Sequence, residues 1–162
     1  ALDIAAEGFE VIARLCGETE ALGPRINRLK ESAQRHCEVV RGEETEKLWE
    51  SRNEFGWMPS DHVLAKIPVT PGEISEFDEL LGDAGAIRNY SLGGNVAWVA
   101  HESALAIHTE LHDLKKVGLQ LLGEIPDSRH SPFLGDPIEL PISKALKSTV
   151  DPNRQFPYYA LA

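Results

Sequence analysis

The chain has 162 residues, of which 42% are hydrophobic, and this is enough for one domain with its own core. Its 26 acidic and 16 basic residues give a net charge of −10, so it lacks the excess of Lys and Arg that binding to a nucleic-acid backbone requires. The sequence contains no run of about 18 apolar residues and therefore predicts no membrane span. Two cysteines are too few for a disulfide framework, and no leader segment is visible, so we expect a reduced, cytoplasmic setting.

The first third of the sequence predicts two strands and two helices. Alternating apolar residues over 9–15 indicate a strand, and apolar residues at helical spacing indicate a helix over 22–35. We expect Pro24 to lie in the first turn of that helix, where its missing N–H is not needed. A short strand over 36–40 and a polar helix over 43–53 complete this part of the chain.

A helix-start signal follows the next predicted strand, which covers 63–67. Thr70 is placed to cap a helix, Pro71 suits the first helical position, and Glu73 can reach back to the cap. Gly82 is placed to end this helix.

The strands predicted over 86–92 and 95–100 enclose Gly93 and Gly94, which we interpret as a two-residue hairpin turn. Apolar residues spaced three and four apart then predict one long helix over 104–121. In this order the helices return to one face of a mostly antiparallel sheet. The expected fold is therefore α+β and ferredoxin-like.

The amino-acid composition changes after residue 122. Prolines and glycines are frequent over 123–141, which favours an extended connection without regular structure. An amphipathic pattern over 142–150 predicts a short terminal helix. We therefore divide the chain into an α+β domain over 1–122 and a Pro-rich tail over 123–162.

The end of the chain resembles the closing signature of the FAD-linked oxidases of the vanillyl-alcohol oxidase type. That signature reads L-K-x-x-x-D-P-x-x-x-[F/L]-N-P-G, and its asparagine and last glycine are absent here. The residues that match it are Leu146, Lys147, Asp151, Pro152 and Phe156.

Other segments resemble, in the same order, the smaller flavoprotein subunit of bacterial glycolate oxidase. Residues 13–18 are similar to its x-R-L-x-G-[S/T/E] motif, and residues 42–49 to its G-x-x-x-x-x-L-W helix. Residues 64–69 stand where that family has an L-W-R-[L/I]-S-[V/L]-like strand. Residues 85–88 are similar to its G-G-A-x-R-W hairpin start. The resemblance covers nearly the whole chain, from about residue 9 to residue 157.

The resemblance implies that the chain is the C-terminal cap region of an FAD-dependent oxidoreductase acting on a small 2-hydroxy acid such as glycolate. The cap would lie over the flavin and shape the substrate pocket. No glycine-rich pyrophosphate loop is visible here, so we expect an FAD-binding domain of the same gene product to hold the cofactor. This chain alone is expected to bind no FAD and to be inactive. Sister flavin and iron–sulfur subunits are further partners that the resemblance implies.

Oxidation of a 2-hydroxy acid needs a cation for the carboxylate and a base for the hydroxyl proton. Arg88 and Lys66 are candidates for the carboxylate, because the resemblance places their strands beneath the flavin. The alternative for each is a solvent-facing position whose aliphatic stem covers apolar surface. His101, at the end of a predicted strand, is the candidate acid–base residue.

The resemblance also implies flavin contacts in the tail, through Asn153, Arg154, Gln155 and Phe156. The three tryptophans are interpreted as core or sheet packing, not as a ligand cage. The histidines do not follow the H-E-x-x-H spacing of zinc hydrolases, so no metal site is predicted.

A function of a different class remains open for the same sequence. The chain would then be a free-standing ferredoxin-like binding or regulatory module with no catalytic role, and its tail would mediate oligomerisation. An Asp-Pro ending after a Pro-rich connection favours the oxidoreductase over this alternative.

Overall fold

The computed structural model describes residues 2–5, 10–34, 36–125, 132–136, 141–153 and 155. Its strands are β1 (Leu2–Ala5), β2 (Glu10–Ala13), β3 (Val63–Pro68), β4 (Ile87–Ser91), β5 (Val96–His101), β6 (Val117–Leu122) and β7 (Phe133–Gly135). Its helices are α1 (Thr19–Ala33), α2 (Glu43–Asn53), α3 (Ile74–Asp83, after a 3-10 turn at Pro71–Glu73), α4 (Ala104–Asp113) and α5 (Pro141–Val150). No helix in these ranges is long and apolar enough to cross a membrane.

The strands form one sheet in the order β2-β1-β4-β5-β3-β6-β7, and every described pair is antiparallel. The segment from β3 to β6 runs strand–helix–strand–strand–helix–strand and is ordered β4-β5-β3-β6. This is the split βαβ arrangement of ferredoxin-like folds. The expected α+β class with an antiparallel sheet is confirmed.

Side-chain alternation divides the sheet into two faces. Ala65 and Ile67 of β3 are fully buried in the core cluster that also contains residues of α3 and α4. Lys66, between them, points to the opposite face and is exposed. We call this opposite side the open face, because α3 and α4 do not cover it. Trp98 and Asn89 lie opposite one another and in line with Lys66, so they belong to the same face.

The core under the helices is built from large apolar side chains at helical spacing. Phe77 and Leu81 of α3 and Ile107 and Leu111 of α4 are at most 1% exposed. Each buried side chain of this size contributes about 1.5–3 kcal/mol of transfer free energy. The two helices are thereby held on one face, and the open face is left for other elements.

The predicted start of α3 is confirmed in detail. The Glu73 carboxylate accepts hydrogen bonds from the backbone N–H and the hydroxyl of Thr70, both at 2.8 Å. Lys116, immediately before β6, donates to the same carboxylate at 2.9 Å. These bonds, that of Lys116 first, lower the pKa of Glu73 from 4.5 to about 2. One side chain therefore joins the beginning of α3 to β6.

The predicted helix over 104–121 was wrong in its second half. The helix ends at Asp113, because Lys115 adopts a left-handed φ of 52° and the Lys116 N–H bonds back to the Leu111 carbonyl at 2.8 Å. No glycine lies at this helix end, so the spacing of apolar residues predicted that the helix continues beyond it. The residues that follow form β6, where Gly118 faces the core: a Cβ there would come within 2.9 Å of Leu111.

Two other local predictions were also wrong. Residues 36–40 form no strand. The hairpin between β4 and β5 has a four-residue loop over 92–95 instead of a two-residue turn, because Ser91 pairs with Val96. The loop needs left-handed backbone from Leu92 through Gly94, and only two of those three positions are glycine.

The first predicted strand and helix are confirmed with shifted boundaries. The described strand is β2, and the helix α1 begins at Thr19, earlier than expected. Pro24 is consequently the sixth helical residue, so the prediction that it lies in the first turn was wrong. It cannot donate to the carbonyl of Glu20, which weakens the second turn. Helix α1 contains no buried residue.

The tail contains more regular structure than its prolines suggested. Strand β7 pairs with β6, with Phe133 opposite Leu119, so the expectation of no regular structure over 123–141 was wrong at this point. The Gly135 N–H donates to Nδ1 of His108 on α4 at 3.0 Å. A Cβ at Gly135 would lie 2.1 Å from the Lys116 carbonyl, so no other residue fits this close approach. The terminal helix α5 is confirmed.

We predict that Glu73→Gln lowers the free energy of unfolding at neutral pH and loses this effect in acid. The folded-state pKa of Glu73, about 2, lies below its ordinary value of 4.5, so its contribution is present above pH 4.5 and fades as the pH falls towards 2. Urea unfolding of both proteins across this range measures the difference. Glu79→Gln, at an exposed position of the same helix, is the control. A difference that stays constant down to pH 2 would contradict the assignment.

Candidate functional site

A cavity of about 360 Å³ lies between α2 and the open face of the sheet, at β4 and β5. One wall comes from α2 and the turn after it, and the other from the two strands. The lining residues include Trp49, Arg52, Phe55, Trp57, Asn89 and Trp98. The volume falls within the range of roughly 300–1,000 Å³ that is typical of small-molecule sites.

Helical spacing brings the first two of these residues together. Trp49 and Arg52 are three positions apart on α2 and therefore share one face. Trp49 is the one buried residue of α2, which anchors the helix on the domain. Arg52 therefore also faces the sheet, and its Nη1 donates a hydrogen bond to Oδ1 of Asn89 on β4 at 3.0 Å.

The turn after α2 has Phe55 at a position that glycine usually occupies. The N–H groups of Phe55 and Gly56 bond back to the carbonyls of Arg52 and Ser51, at 3.4 and 2.7 Å, and Phe55 takes the left-handed φ of 55° that glycine usually adopts at the end of a helix. Left-handed backbone costs a residue with a side chain roughly 1–2 kcal/mol. In this conformation the Phe55 ring lies against Trp98, with a centroid separation of 5.3 Å, and near Trp57, at 6.3 Å.

Arg52 is an incompletely paired cation. Its side chain is 16% exposed, and its buried Nε has no hydrogen-bond partner among the described residues. Among the residues that the structure describes, its only carboxylate contact is Glu10, whose Oε2 lies 3.5 Å from Nη2 and whose side chain is 65% exposed. Asn89 offers a neutral oxygen. A buried guanidinium is costly unless it is paired, so this site favours an anion.

Two further cations lie on the aromatic walls. The Lys66 ammonium is 5.5 Å from the centre of the Trp98 ring, and the Arg14 guanidinium is 5.7 Å from that of Trp49. Such contacts contribute roughly 0.5–1 kcal/mol at exposed sites. In a chain with a net charge of −10, this corner of the surface therefore concentrates positive charge.

The structure places the two predicted carboxylate-binding residues on opposite faces. Arg88 lies opposite Val99 on the helical face, and Lys66 lies opposite Trp98 on the open face. Arg88 already holds a carboxylate: its Nε and Nη2 donate to the two oxygens of Asp78 on α3, at 2.8 and 3.1 Å. The two cations therefore do not converge on one ligand.

The Asp78 pair is strongly biased towards its charged form. Burial raises the pKa of Asp78, but hydrogen bonds from Arg88 and from the Tyr90 hydroxyl, at 2.9 Å, outweigh it and hold the pKa below its usual value. The bond to Asp78 in turn raises the pKa of Arg88. Burial, and then Asp78, raise the pKa of Tyr90. The pair joins α3 to β4 as an internal structural link.

We predict that Arg88→Met lowers the free energy of unfolding by about 3 kcal/mol, because it leaves the Asp78 carboxylate buried without its cation. The double variant Arg88→Met with Asp78→Asn should cost less than the sum of the single variants. Urea unfolding measures all three proteins, with Arg28→Met on the exposed face of α1 as the control. A single variant that unfolds at the wild-type urea midpoint would disprove the structural assignment of Arg88.

His101 ends β5, as predicted, but both of its ring nitrogens are engaged by backbone. Nδ1 accepts the Ser103 N–H at 2.8 Å, and Nε2 lies 3.0 Å from the Ala84 carbonyl, to which it donates in the tautomer that this pairing selects. These bonds join the start of α4 to the end of α3. They do not direct either nitrogen to the cavity beside α2.

We predict that His101→Ala lowers the free energy of unfolding by about 1–3 kcal/mol and leaves ligand binding at the cavity unchanged. The physical reason is the loss of two backbone links that are remote from the binding residues. Thermal unfolding and a binding titration on the same variant separate the two effects. Wild-type stability with impaired binding would instead support the acid–base interpretation.

The predicted flavin-contacting tail is described only in part. Asn153 and Gln155 are exposed, and Arg154 and Phe156 lie outside the described residues. The Asp151 carboxylate of the terminal motif is 7% exposed, pairs with Lys147 and accepts the Gln155 N–H at 2.7 Å. Two residues of the motif, Lys147 and Asp151, thus form a local bond at the end of α5.

Sequence reasoning missed Arg52 and Asn89, and interpreted the tryptophans as packing. Trp49 is buried, in agreement with that interpretation, but Trp57 and Trp98 are half-buried and line the cavity. The available signal was the three-residue spacing of Trp49 and Arg52 in an otherwise polar helix. In the described ranges, no group of three or more His, Cys, Asp or Glu side chains is placed to hold a metal ion.

Comparison with known proteins adds no identification. No protein-family model matches the chain, and no curated protein or solved structure matches it either.

Proposed function

We propose that the chain is the cap region of an FAD-dependent oxidoreductase acting on a small 2-hydroxy acid. The collinear motifs between residues 9 and 157 support this proposal, as does the architecture of the sheet. One face is packed under α3 and α4, and the open face carries a cationic, aromatic cavity. A cap needs such a face, on which a substrate is held while another domain presents the cofactor.

The cavity is the observation that carries the proposal. Its charged group, Arg52, is suited to a carboxylate, because a guanidinium presents paired donors in a fixed plane. Lys66 at the rim adds a second positive charge and remains a candidate for the same role. The rings of Phe55, Trp57 and Trp98 line the cavity beside Arg52, whose side chain is 16% exposed, and a low exposure of this kind strengthens its electrostatic contacts.

The described residues do not form a site for the FAD pyrophosphate. Gly93 and Gly94 lie in the loop between β4 and β5 and do not open a helix. In the proposed enzyme a separate domain therefore holds FAD, which would accept the hydride. This chain would bind the carboxylate and orient the carbon beside it. Arg88 and His101 are engaged by Asp78 and by backbone, so the proposal assigns neither to the substrate.

A free-standing binding module is the second candidate function. The observation in its favour is the contiguous unit from β3 to β6, whose core cluster is built almost entirely from its own residues. Such a unit needs no other domain to bury its apolar face. It would use the same cavity to bind an anion without chemistry.

We predict that the native polypeptide, isolated from its source cells with an antibody against this chain, carries FAD and exceeds the 17.9 kDa of the chain. A 2-hydroxy acid added without oxygen should bleach its flavin absorbance. Mass spectrometry and absorption spectroscopy measure both properties. A native polypeptide of 17.9 kDa without flavin would reject the oxidoreductase and leave the binding module.

A further inference from the structure

We infer that the cavity between α2 and the open face binds a small aromatic carboxylate, with Arg52 as its anion-binding residue and Glu10 as an internal competitor. Within the proposed function the ligand would be an aryl-substituted 2-hydroxy acid, and that extension rests on the proposed function. The inference of the binding site itself does not rest on the proposed function. It follows from the donors, charges and rings around the cavity.

Arg88 and Arg52, both with largely buried side chains, provide an internal comparison. In Arg88, the edge formed by Nε and Nη2 holds both oxygens of the Asp78 carboxylate, at 2.8 and 3.1 Å. In Arg52, the same edge has no partner at Nε among the described residues and only the 3.5 Å contact with Glu10 at Nη2. The exposures of the two side chains are nearly equal, 14% and 16%. Arg52 therefore has the buried position of a carboxylate-binding arginine without a firmly bound carboxylate.

Glu10 is suited to being displaced. Its side chain is 65% exposed and stands at the limit of hydrogen-bond distance, so solvent screens the interaction and little free energy is lost when it opens. A ligand carboxylate inserted between the cavity walls would take the place of Glu10 on the guanidinium.

The walls select an aromatic ligand. Phe55, Trp57 and Trp98 present ring surface to a cavity of about 360 Å³, which is much larger than a two-carbon acid fills. A planar ring in this space would gain offset or edge-to-face contacts with the rings already present. The left-handed backbone of Phe55 places one of these rings at a cost in backbone strain, as residues at binding sites often do.

The local charge selects a monoanion over a dianion. Arg52 lines the cavity, and Lys66 and Arg14 lie over the rings of the lining residues Trp98 and Trp49, but Glu10 stands beside the Arg52 guanidinium and the chain has a net charge of −10. A carboxylate neutralises Arg52. A phosphate monoester would add a second negative charge next to Glu10, at an energetic cost.

The intrinsic fluorescence of the chain reports on this site, because all three of its tryptophans line the cavity. Titration of the purified chain with phenylacetate and with mandelate should change the emission and saturate. Acetate, which lacks the ring, and benzyl alcohol, which lacks the carboxylate, should bind at least about tenfold more weakly. Phenyl phosphate should also bind more weakly than phenylacetate. Equal affinity for acetate and phenylacetate, or no saturable response to either aromatic acid, would overturn the inference.

Three variants test the assignment of the residues. Arg52→Gln should weaken phenylacetate binding by about tenfold or more, and Arg52→Lys, which keeps the charge and loses the paired donors, by a smaller factor. Glu10→Gln should tighten it by about threefold, because the competing carboxylate is gone. Arg28→Gln on α1 is the matched control and should bind as wild type. If Glu10→Gln binds phenylacetate as wild type does or more weakly, the inference that the ligand displaces Glu10 from Arg52 is wrong.

A second measurement keeps the test decisive if Arg52→Gln unfolds. In the wild-type chain, the NMR resonance of the Arg52 Nε–H should move on addition of phenylacetate and not on addition of acetate at the same concentration. A stationary resonance during saturable binding would remove Arg52 from the site. Because flavin takes no part in these titrations, their failure is distinguishable from failure of the proposed oxidoreductase.

Discussion

The alternation of side chains along β3, β4 and β5 decides which charged groups of this domain can meet a ligand. Neighbouring positions on a strand point to opposite faces, so Ala65 and Ile67 enter the core while Lys66 remains on the open face. The same rule sends Arg88 under the helices and Asn89 to the cavity. A shift of one residue in the pairing of these strands would exchange the two sets. The chemistry of the open face therefore depends on the register that the core residues fix.

Arg88 and Arg52 show how similar burial leads to different roles. Arg88 and Asp78 satisfy each other within the domain, and the pair links a helix to a strand. Arg52 is held by a neutral amide and by a distant, solvated carboxylate. The desolvation of the second guanidinium is thus offset only in part by the protein itself. A site of this kind gains most from a ligand that brings its own negative charge.

The parts of the fold that the sequence predicted well are those with a strong local signal. The cap formed by Thr70 and Glu73 is where it was expected, and the boundaries of β3 and β5 lie within one residue of the predicted ones. The end of α4 was missed because Lys115 adopts the left-handed backbone without being glycine. The cavity could not be predicted for a different reason. Its two walls come from α2 and from β4 and β5, and only tertiary packing brings Arg52 to Asn89.

The distribution of these elements along the chain constrains the order in which the molecule can assemble. Residues 63–122 contain four adjacent strands and both core helices, so all pairings among these elements are closed within that one stretch of chain. Strand β1, by contrast, pairs with β4 through Ile4 and Tyr90, near opposite ends of a long stretch of chain. Contacts of that separation carry a larger entropic cost and follow once the nearer ones exist. The wall that carries Arg52 lies inside the loop that this pairing closes, whereas the wall that carries Trp98 belongs to the ferredoxin-like unit, so the cavity is complete only when both parts are in place.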